Sequence, residues 1–252
     1  MSTNESKDTN NNRRQFLGAA VATAAVTLAP GVKVIGLAQA KPLDQPVSDK
    51  NRWGLLIDSN KCSSGCSSCV DACATENGIE KIHGPETDPQ WIRKVTVRHK
   101  ESGKESSLPL MCQHCENPPC VDVCPTGASF RREDGIVLVD RHTCIGCRYC
   151  MMACPYKARS FVHEELTNQV EYVPRGKGCV ESCTLCVQRI DEVNGPRDPA
   201  CVEACAGENH NAIIFGDLND KYSDISQEMR SYQTRQLRAD LDLNTGVRYR
   251  GV

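Results

Sequence analysis

Four copies of one cysteine pattern run through the chain and constrain its fold more than any other feature. Each copy ends in Cys-x-x-x-Cys, and two more cysteines lie upstream of that pair. Because residues four apart lie on the same face of a helix, one short helical turn would bring each final pair together. All but one of the 17 cysteines belong to these copies. They are motif I with Cys62, Cys66, Cys69 and Cys73, motif II with Cys112, Cys115, Cys120 and Cys124, motif III with Cys144, Cys147, Cys150 and Cys154, and motif IV with Cys183, Cys186, Cys201 and Cys205.

Short apolar segments flank these motifs in a repeating order. Residues 55–58 precede motif I and residues 137–140 precede motif III, and each segment is a candidate strand. Candidate return strands follow motifs II, III and IV, at residues 128–130, 158–161 and 212–215. The unit is therefore strand, cysteine loop, short helix and strand, and two such units form a ferredoxin-like half with a small antiparallel sheet. The sequence predicts an α+β fold of two ferredoxin-like units in a pseudo-twofold arrangement.

Longer connections separate the units. Residues 91–98 alternate well enough for a strand and are followed by turn residues, which predicts an inserted hairpin. The last residues are polar, and we expect an extended tail with one helical stretch near residues 225–241. The predicted divisions are a signal peptide at 1–40, an outer ferredoxin-like half at 41–82 and 179–217 with motifs I and IV, the hairpin at 83–107, an inner half at 108–178 with motifs II and III, and a C-terminal tail at 218–252.

The first forty residues differ in character from the rest. Arg13-Arg14-Gln-Phe-Leu leads into a stretch rich in alanine, valine and threonine, which resembles a twin-arginine export signal. The alternative is a transmembrane anchor, because residues 15–32 carry no charge. Pro30 interrupts that stretch and Lys33 follows it, so it is a poor candidate for stable insertion. The pattern therefore favours a cleaved signal and a periplasmic protein that is held at the membrane only through a partner.

Three kinds of chemistry could use sixteen cysteines in repeated motifs. An exported, cysteine-rich chain often contains disulfides, but such frameworks usually serve smaller chains. Zinc usually takes two separated Cys-x2-Cys pairs around one ion. Residues 144–155 read Cys-Ile-Gly-Cys-Arg-Tyr-Cys-Met-Met-Ala-Cys-Pro, which is the bacterial ferredoxin run, in which three thiolates bind one cluster and the fourth reaches a neighbouring cluster. The spacing favours four [4Fe-4S] clusters, with disulfides and zinc as the alternatives.

The resemblance to one family is specific. Residues 112–128, 134–140 and 144–156 resemble the four-cluster electron-transfer subunits of the dimethyl sulfoxide reductase, polysulfide reductase and Hmc group, and the likeness extends over residues 53–217. Within that group, the export signal and the closing residues 243–252 are similar to the DsrO-type periplasmic subunits of the DsrMKJOP complexes of sulfur-metabolising prokaryotes. Motif I departs from the family, since three residues separate Cys62 from Cys66 where two are usual.

This resemblance implies which cysteines ligate each cluster. The last cysteine of each motif completes the cluster of another motif. The implied sets are Cys62, Cys66 and Cys69 with Cys205, then Cys183, Cys186 and Cys201 with Cys73, then Cys112, Cys115 and Cys120 with Cys154, and finally Cys144, Cys147 and Cys150 with Cys124.

The function implied by the resemblance is electron transfer within a membrane-bound respiratory or sulfur-metabolising complex. The subunit would have no catalytic site of its own and would exchange electrons with an NrfD/PsrC-like integral membrane subunit that uses quinone, and with other redox subunits such as a multihaem cytochrome c. We expect the hairpin and the tail to dock such partners. A net charge of −2 without a basic block argues against nucleic acid. The rival hypothesis is a free-standing redox-sensing or binding module with structural clusters.

Two further residues have open roles. Cys179 is the cysteine outside the motifs, and it is either a free buried thiol or a substitute ligand for the cluster of motif IV. His114 lies in the loop of motif II, where it either tunes a cluster or moves a proton, or is simply a surface or hydrogen-bonded histidine.

Overall fold

Short strands alternate with short helices along the part of the chain that the structure describes. The computed structural model describes residues 47–167, 169–192 and 197–252, so the export signal predicted at 1–40 lies outside the described residues. The strands are β1 (Trp53–Asp58), β2 (Ile92–Arg98), β3 (Glu105–Met111), β4 (Ser129–Arg131), β5 (Val137–Val139), β6 (Arg159–Phe161), β7 (Val180–Ser182), β8 (Ile213–Asp217) and β9 (Val247–Arg250). The helices are α1 (Ser68–Glu76), α2 (Pro119–Asp122), α3 (Tyr149–Ala153), α4 (Val187–Ile190), α5 (Ala200–Gly207) and α6 (Asp224–Ser231), with a 3-10 helix at Ala239–Leu241. Among these helices, none is long and apolar enough to cross a bilayer.

A three-stranded sheet joins the strand before motif I to two strands near the C-terminus. Its order is β8-β1-β9, with β8 antiparallel and β9 parallel to β1. Because β1 is the central strand, its apolar run Leu55-Leu56-Ile57 is almost completely buried. Gly54 lets β9 approach closely, since a Cβ at this position would collide with the carbonyl oxygen of Gly246.

The inserted segment contains the hairpin strands β2 and β3. They pair antiparallel from Ile92 opposite Met111 to Arg98 opposite Glu105. The second strand therefore continues beyond residue 107, where the sequence pattern ends the hairpin, and leads directly into motif II. Its last residues continue as strand because Leu108 and Met111 are buried in the core.

Two further pairs of short strands connect the motifs. Strand β4 after motif II pairs antiparallel with β5 before motif III. Strand β6 after motif III pairs antiparallel with β7 before motif IV. The second pair joins the two predicted halves, because β6 lies in the inner half, which ends at residue 178, and β7 lies in the outer half.

A buried ion pair fastens the hairpin to β7. The carboxylate of Glu181, whose residue is 1% exposed, accepts hydrogen bonds from Arg175 Nη2 at 2.9 Å and from Trp91 Nε1 at 3.2 Å. Arg175 Nη1 also donates to the carbonyl of Gly78 at 2.6 Å, just after α1. Arg141 Nε lies 3.7 Å from the same carboxylate. One acidic side chain therefore joins segments next to motifs I, III and IV.

The C-terminal segment differs from the extended, partly helical tail that the sequence predicts. Helix α6 is capped by Ser223, whose hydroxyl accepts from the backbone N–H of Ser226, and it ends at Ser231. The chain then turns back, and the backbones of Arg235 and Tyr249 exchange two hydrogen bonds. Strand β9 alternates buried Val247 and Tyr249 with two arginines, so its period of two fits a strand with one buried face. The end of the chain is therefore part of the main sheet.

Candidate cofactor site

All 17 cysteines lie within the described residues, and none forms a disulfide. Helices α1 and α5 pack against each other and carry the final pairs of motifs I and IV. Helices α2 and α3 pack in the same way, and cysteines at or next to their ends belong to motifs II and III. The first helix pair therefore brings together the first and last motifs of the chain, and the second pair joins two consecutive motifs.

Mutual effects on pKa show which thiols are neighbours around motifs I and IV. Burial raises the pKa of Cys69 to about 11, with Lys94 opposing the rise and the thiols of Cys62, Cys205 and Cys66 contributing to it. Burial also raises the pKa of Cys73, with further contributions from three thiols of motif IV. The final cysteines have thus changed places. We call the first set group A (Cys62, Cys66, Cys69 and Cys205) and the second group B (Cys73, Cys183, Cys186 and Cys201).

The same exchange occurs between motifs II and III. Burial raises the pKa of Cys112 to about 12, with contributions from the thiols of Cys120 and Cys154. Burial raises the pKa of Cys150, and the thiols of Cys144 and Cys124 contribute to the rise. We call these sets group C (Cys112, Cys115, Cys120 and Cys154) and group D (Cys124, Cys144, Cys147 and Cys150).

Cavities support two of these sets independently. One cavity is lined by all four cysteines of group D, and another by all four of group B. Among the described residues, no three His, Cys, Asp or Glu side chains form a compact site for a single metal ion. The donor set is four thiols around each cavity, which fits the ligand chemistry of a [4Fe-4S] cluster.

The backbone around the cysteines also offers hydrogen bonds to sulfur. Backbone N–H groups donate to Cys124 Sγ from Ser129 at 3.3 Å and to Cys205 Sγ from Ala212 at 3.2 Å. Several loop residues have positive φ, including Arg148 at 64° and Leu185 at 57°. Turns of this kind point successive N–H groups inward and favour bound anions. The loops are therefore shaped to stabilise negatively charged sulfur.

Exposure differs strongly between the groups. All four cysteines of group B and all four of group C are buried. Group A contains two cysteines of intermediate exposure, and group D contains two of intermediate exposure together with exposed Cys147. Neighbouring groups also interact, because the pKa of Cys201 is raised by burial and, among other thiols, by Cys69 of group A. Besides burial, Cys112 of group C raises the pKa of Cys183 of group B, and Cys150 of group D raises that of Cys120 of group C. These neighbouring thiols put the groups in the order A-B-C-D.

The structure places His114 in the core and not at the surface. Its Nδ1 accepts a hydrogen bond from the backbone N–H of Val137 at 3.1 Å, so the proton of the neutral ring lies on Nε2. Burial, with a smaller contribution from Arg159, lowers the pKa of His114 to about 3. The hydrogen-bonded alternative for this residue is therefore the one that the structure supports.

Cys179 is a free, buried thiol, which agrees with the first of its two predicted roles, and it lies near motif III. Its Sγ donates to the carbonyl of Arg141 at 3.2 Å, and Cys144 is a neighbouring thiol that raises its pKa after burial. The reason is the pairing of β6 with β7, since Val162 donates to the carbonyl of Cys179 at 3.0 Å and draws it toward motif III.

Two basic residues near the cysteines were not singled out by sequence reasoning. Lys94 on β2 donates to the carbonyls of Ser63 and Cys66 and so supports the motif I loop with its extra residue. Arg159 on β6 donates from Nη2 to Cys120 Sγ at 3.1 Å. Neither stands out in the sequence from the other basic residues, because only the folded chain brings it to a cysteine.

Comparisons with known proteins identify the family. Two models described as 4Fe-4S dicluster domains match residues 61–128 and 104–217. The Hdr-like menaquinol oxidoreductase iron-sulfur subunit 1 of Archaeoglobus fulgidus is 40% identical, over 94% of this chain and 97% of its own. The chain belongs to the [4Fe-4S] electron-transfer subunits of the dimethyl sulfoxide reductase and polysulfide reductase group.

Other relatives of this electron-transfer subunit agree. A tetrathionate reductase subunit of Salmonella typhimurium is 38% identical, over 82% of this chain and 76% of its own. Protein NrfC of Escherichia coli is 36% identical, over 88% of this chain and 87% of its own. The resemblance predicted from the cysteine runs is thus confirmed. The two dicluster domains and the cysteine motifs together support four [4Fe-4S] clusters as the cofactors of the subunit.

Proposed function

We propose that this protein is a periplasmic electron-transfer subunit of a membrane-bound respiratory complex in sulfur metabolism, and that groups A to D each ligate one [4Fe-4S] cluster. Such clusters, when bound, accept and release single electrons. The observation that carries the proposal is the order A-B-C-D, with partly exposed cysteines at both ends and only buried cysteines in the middle. Such an arrangement suits electron transfer between one partner near group A and another near group D.

The exchanged final cysteines also support the proposed architecture. Motifs I and IV exchange their last ligand, and motifs II and III do the same. Two halves built on the same exchange fit a pseudo-twofold arrangement, in which the outer half holds groups A and B and the inner half holds groups C and D. The burial of B and C would shield the central clusters from water, and backbone hydrogen bonds to sulfur would adjust their potentials.

The two ends differ in surface chemistry, which suggests different partners. Around group D, large apolar side chains are exposed, namely Ile145 at 67%, Tyr149 at 53% and Met152 at 65%. Around group A, the loop between Cys62 and Cys69 contains, apart from Cys66, only serines and a glycine. Exposed apolar patches commonly mark interfaces. We therefore assign the group D end to an NrfD/PsrC-like integral membrane subunit and the group A end to a water-soluble redox partner such as a multihaem cytochrome c.

The relatives support a partner of this kind. The Archaeoglobus relative is a subunit of a menaquinol oxidoreductase, and the Salmonella relative belongs to a tetrathionate reductase. These names favour quinol as one redox partner and a sulfur compound as the ultimate substrate of the complex. The twin-arginine pattern supports export, and the closing residues 243–252 favour a DsrO-type subunit.

Pull-down of the exported subunit with an affinity tag tests this proposal. We expect that an integral membrane subunit copurifies with the tagged protein from membranes solubilised in a mild detergent. Met152→Glu places a charge on the apolar patch, which would have to be desolvated in the interface, so we expect at least a tenfold loss of the partner with unchanged iron content. Ile82→Glu is the matched control, because Ile82 is 57% exposed and adjoins the inserted hairpin, outside the patch.

Each outcome separates the hypotheses. Loss of the partner with Ile82→Glu and its retention with Met152→Glu would place the interface on the hairpin side. Recovery of the wild type as a lone soluble monomer with all its iron would contradict the complex and favour the sensing or binding module.

A further inference from the structure

Arg159 is a buried cation between groups C and D. It begins β6, just after motif III, and is 5% exposed. Its Nη2 donates to Cys120 Sγ of group C at 3.1 Å. The thiol of Cys150 in group D is also a close neighbour of the guanidinium, since each of the two groups shifts the pKa of the other. One side chain therefore donates to a sulfur of group C and lies beside a thiol of group D.

The charge of Arg159 has no carboxylate partner in the described part of the chain. No ion pair includes it there, and its Nε and Nη1 atoms are buried without a hydrogen-bond acceptor. Arg175 is equally buried but is paired with Glu181 at 2.9 Å. A buried charge without compensation is costly, so proteins supply an opposite charge or a coordinating group. The unmatched charge and the free donors of Arg159 point to negative charge within groups C and D.

We propose that Arg159 is a cation shared by the two clusters of groups C and D and that it raises the midpoint potentials of both. This inference rests on the ligand sets proposed above. Reduction adds negative charge to a cluster, and a fixed positive charge in a buried environment stabilises the reduced form. Hydrogen bonds from N–H to the ligand sulfurs act in the same direction. Arg159 is thus a tuning residue for two consecutive clusters.

The test is a redox titration of the full chain, followed by electron paramagnetic resonance. In Arg159→Gln, two of the four midpoint potentials should fall and the other two should stay unchanged. We expect at least a tenfold loss in the equilibrium constant for reduction at each affected cluster, which is about 59 mV for a one-electron couple. Lys157→Gln is the matched control, since Lys157 lies two residues before Arg159 but is exposed to solvent. In this control, the equilibrium constant for reduction of each cluster should change less than threefold, because water screens an exposed charge.

Iron content separates this inference from the ligand assignment. If wild type lacks four clusters, the assignment fails, whatever Arg159 does. If Arg159→Gln keeps the wild-type iron content and all four potentials, or only one potential moves, the shared-cation proposal is wrong. If Arg159→Gln does not assemble its clusters, Arg159→Lys decides, because it keeps the charge. We expect Arg159→Lys to retain its iron and to keep the equilibrium constants for reduction of both clusters within threefold of wild type. Loss of iron in Arg159→Lys as well would overturn the proposal.

Discussion

Replacing Cys205 with serine is expected to remove the cluster of group A, which also contains Cys62, more than a hundred residues earlier in the chain. The iron content should fall by about four atoms per chain, because one [4Fe-4S] site loses a thiolate ligand. The reason is the packing of α5 against α1, which puts Cys205 beside the first three cysteines of motif I. Iron analysis of the anaerobically purified variant measures this loss.

Double variants show which cluster is affected. Cys62→Ser combined with Cys205→Ser should lose the same four or so iron atoms as either single variant, since both residues serve one cluster. Cys201→Ser combined with Cys205→Ser should lose about eight, because these neighbours on one helix serve different clusters. Cys179→Ser is the matched control and should keep all its iron. The reverse pattern in the double variants would mean that each motif ligates a single cluster by itself.

Glu181→Gln is expected to lower the free energy of unfolding by about 3–5 kcal/mol, which is the usual effect of breaking a buried ion pair. The glutamine leaves Arg175 buried without its anion, and Arg141 loses its nearest acidic group as well. Trp91 keeps only a weaker acceptor. The midpoint of guanidinium-induced unfolding, followed on the cluster-loaded chain, measures the change.

Glu105→Gln provides the control for this variant. It breaks the pair of Arg98 with Glu105 at the hairpin tip, where both side chains are more than half exposed. The expected loss is about 0.2–1 kcal/mol, because water and salt screen such pairs. Equal effects of the two substitutions would show that the Glu181 pair does not hold the hairpin and β7 together.

Features that repeat in the sequence could be predicted because local spacing determines them. The four motifs, the strands flanking them and the short helices at each final pair recur with the same residue types. The exchange of last cysteines came from the family resemblance, and the neighbours of Cys69 and Cys73 agree with it. Local spacing therefore determines the shape of each cysteine loop and of the short helix that follows it.

Features that depend on long-range packing could not be predicted in this way. Strand β9 has only four residues, and its parallel partner β1 lies about two hundred positions earlier, so no local signal identifies the pairing. Arg159 resembles a surface arginine in sequence until β6 and β7 pair and bury it. Cys179 likewise acquires Cys144 as its neighbour only through that pairing.

The iron and zinc content of the anaerobically purified wild-type chain tests the central claim most directly. Four cysteine groups that each ligate one [4Fe-4S] cluster predict about 16 iron atoms per chain, with acid-labile sulfide in equal amount and no stoichiometric zinc. About four zinc ions per chain with little iron would contradict the account, because it would assign the same cysteines to structural zinc sites that cannot transfer electrons.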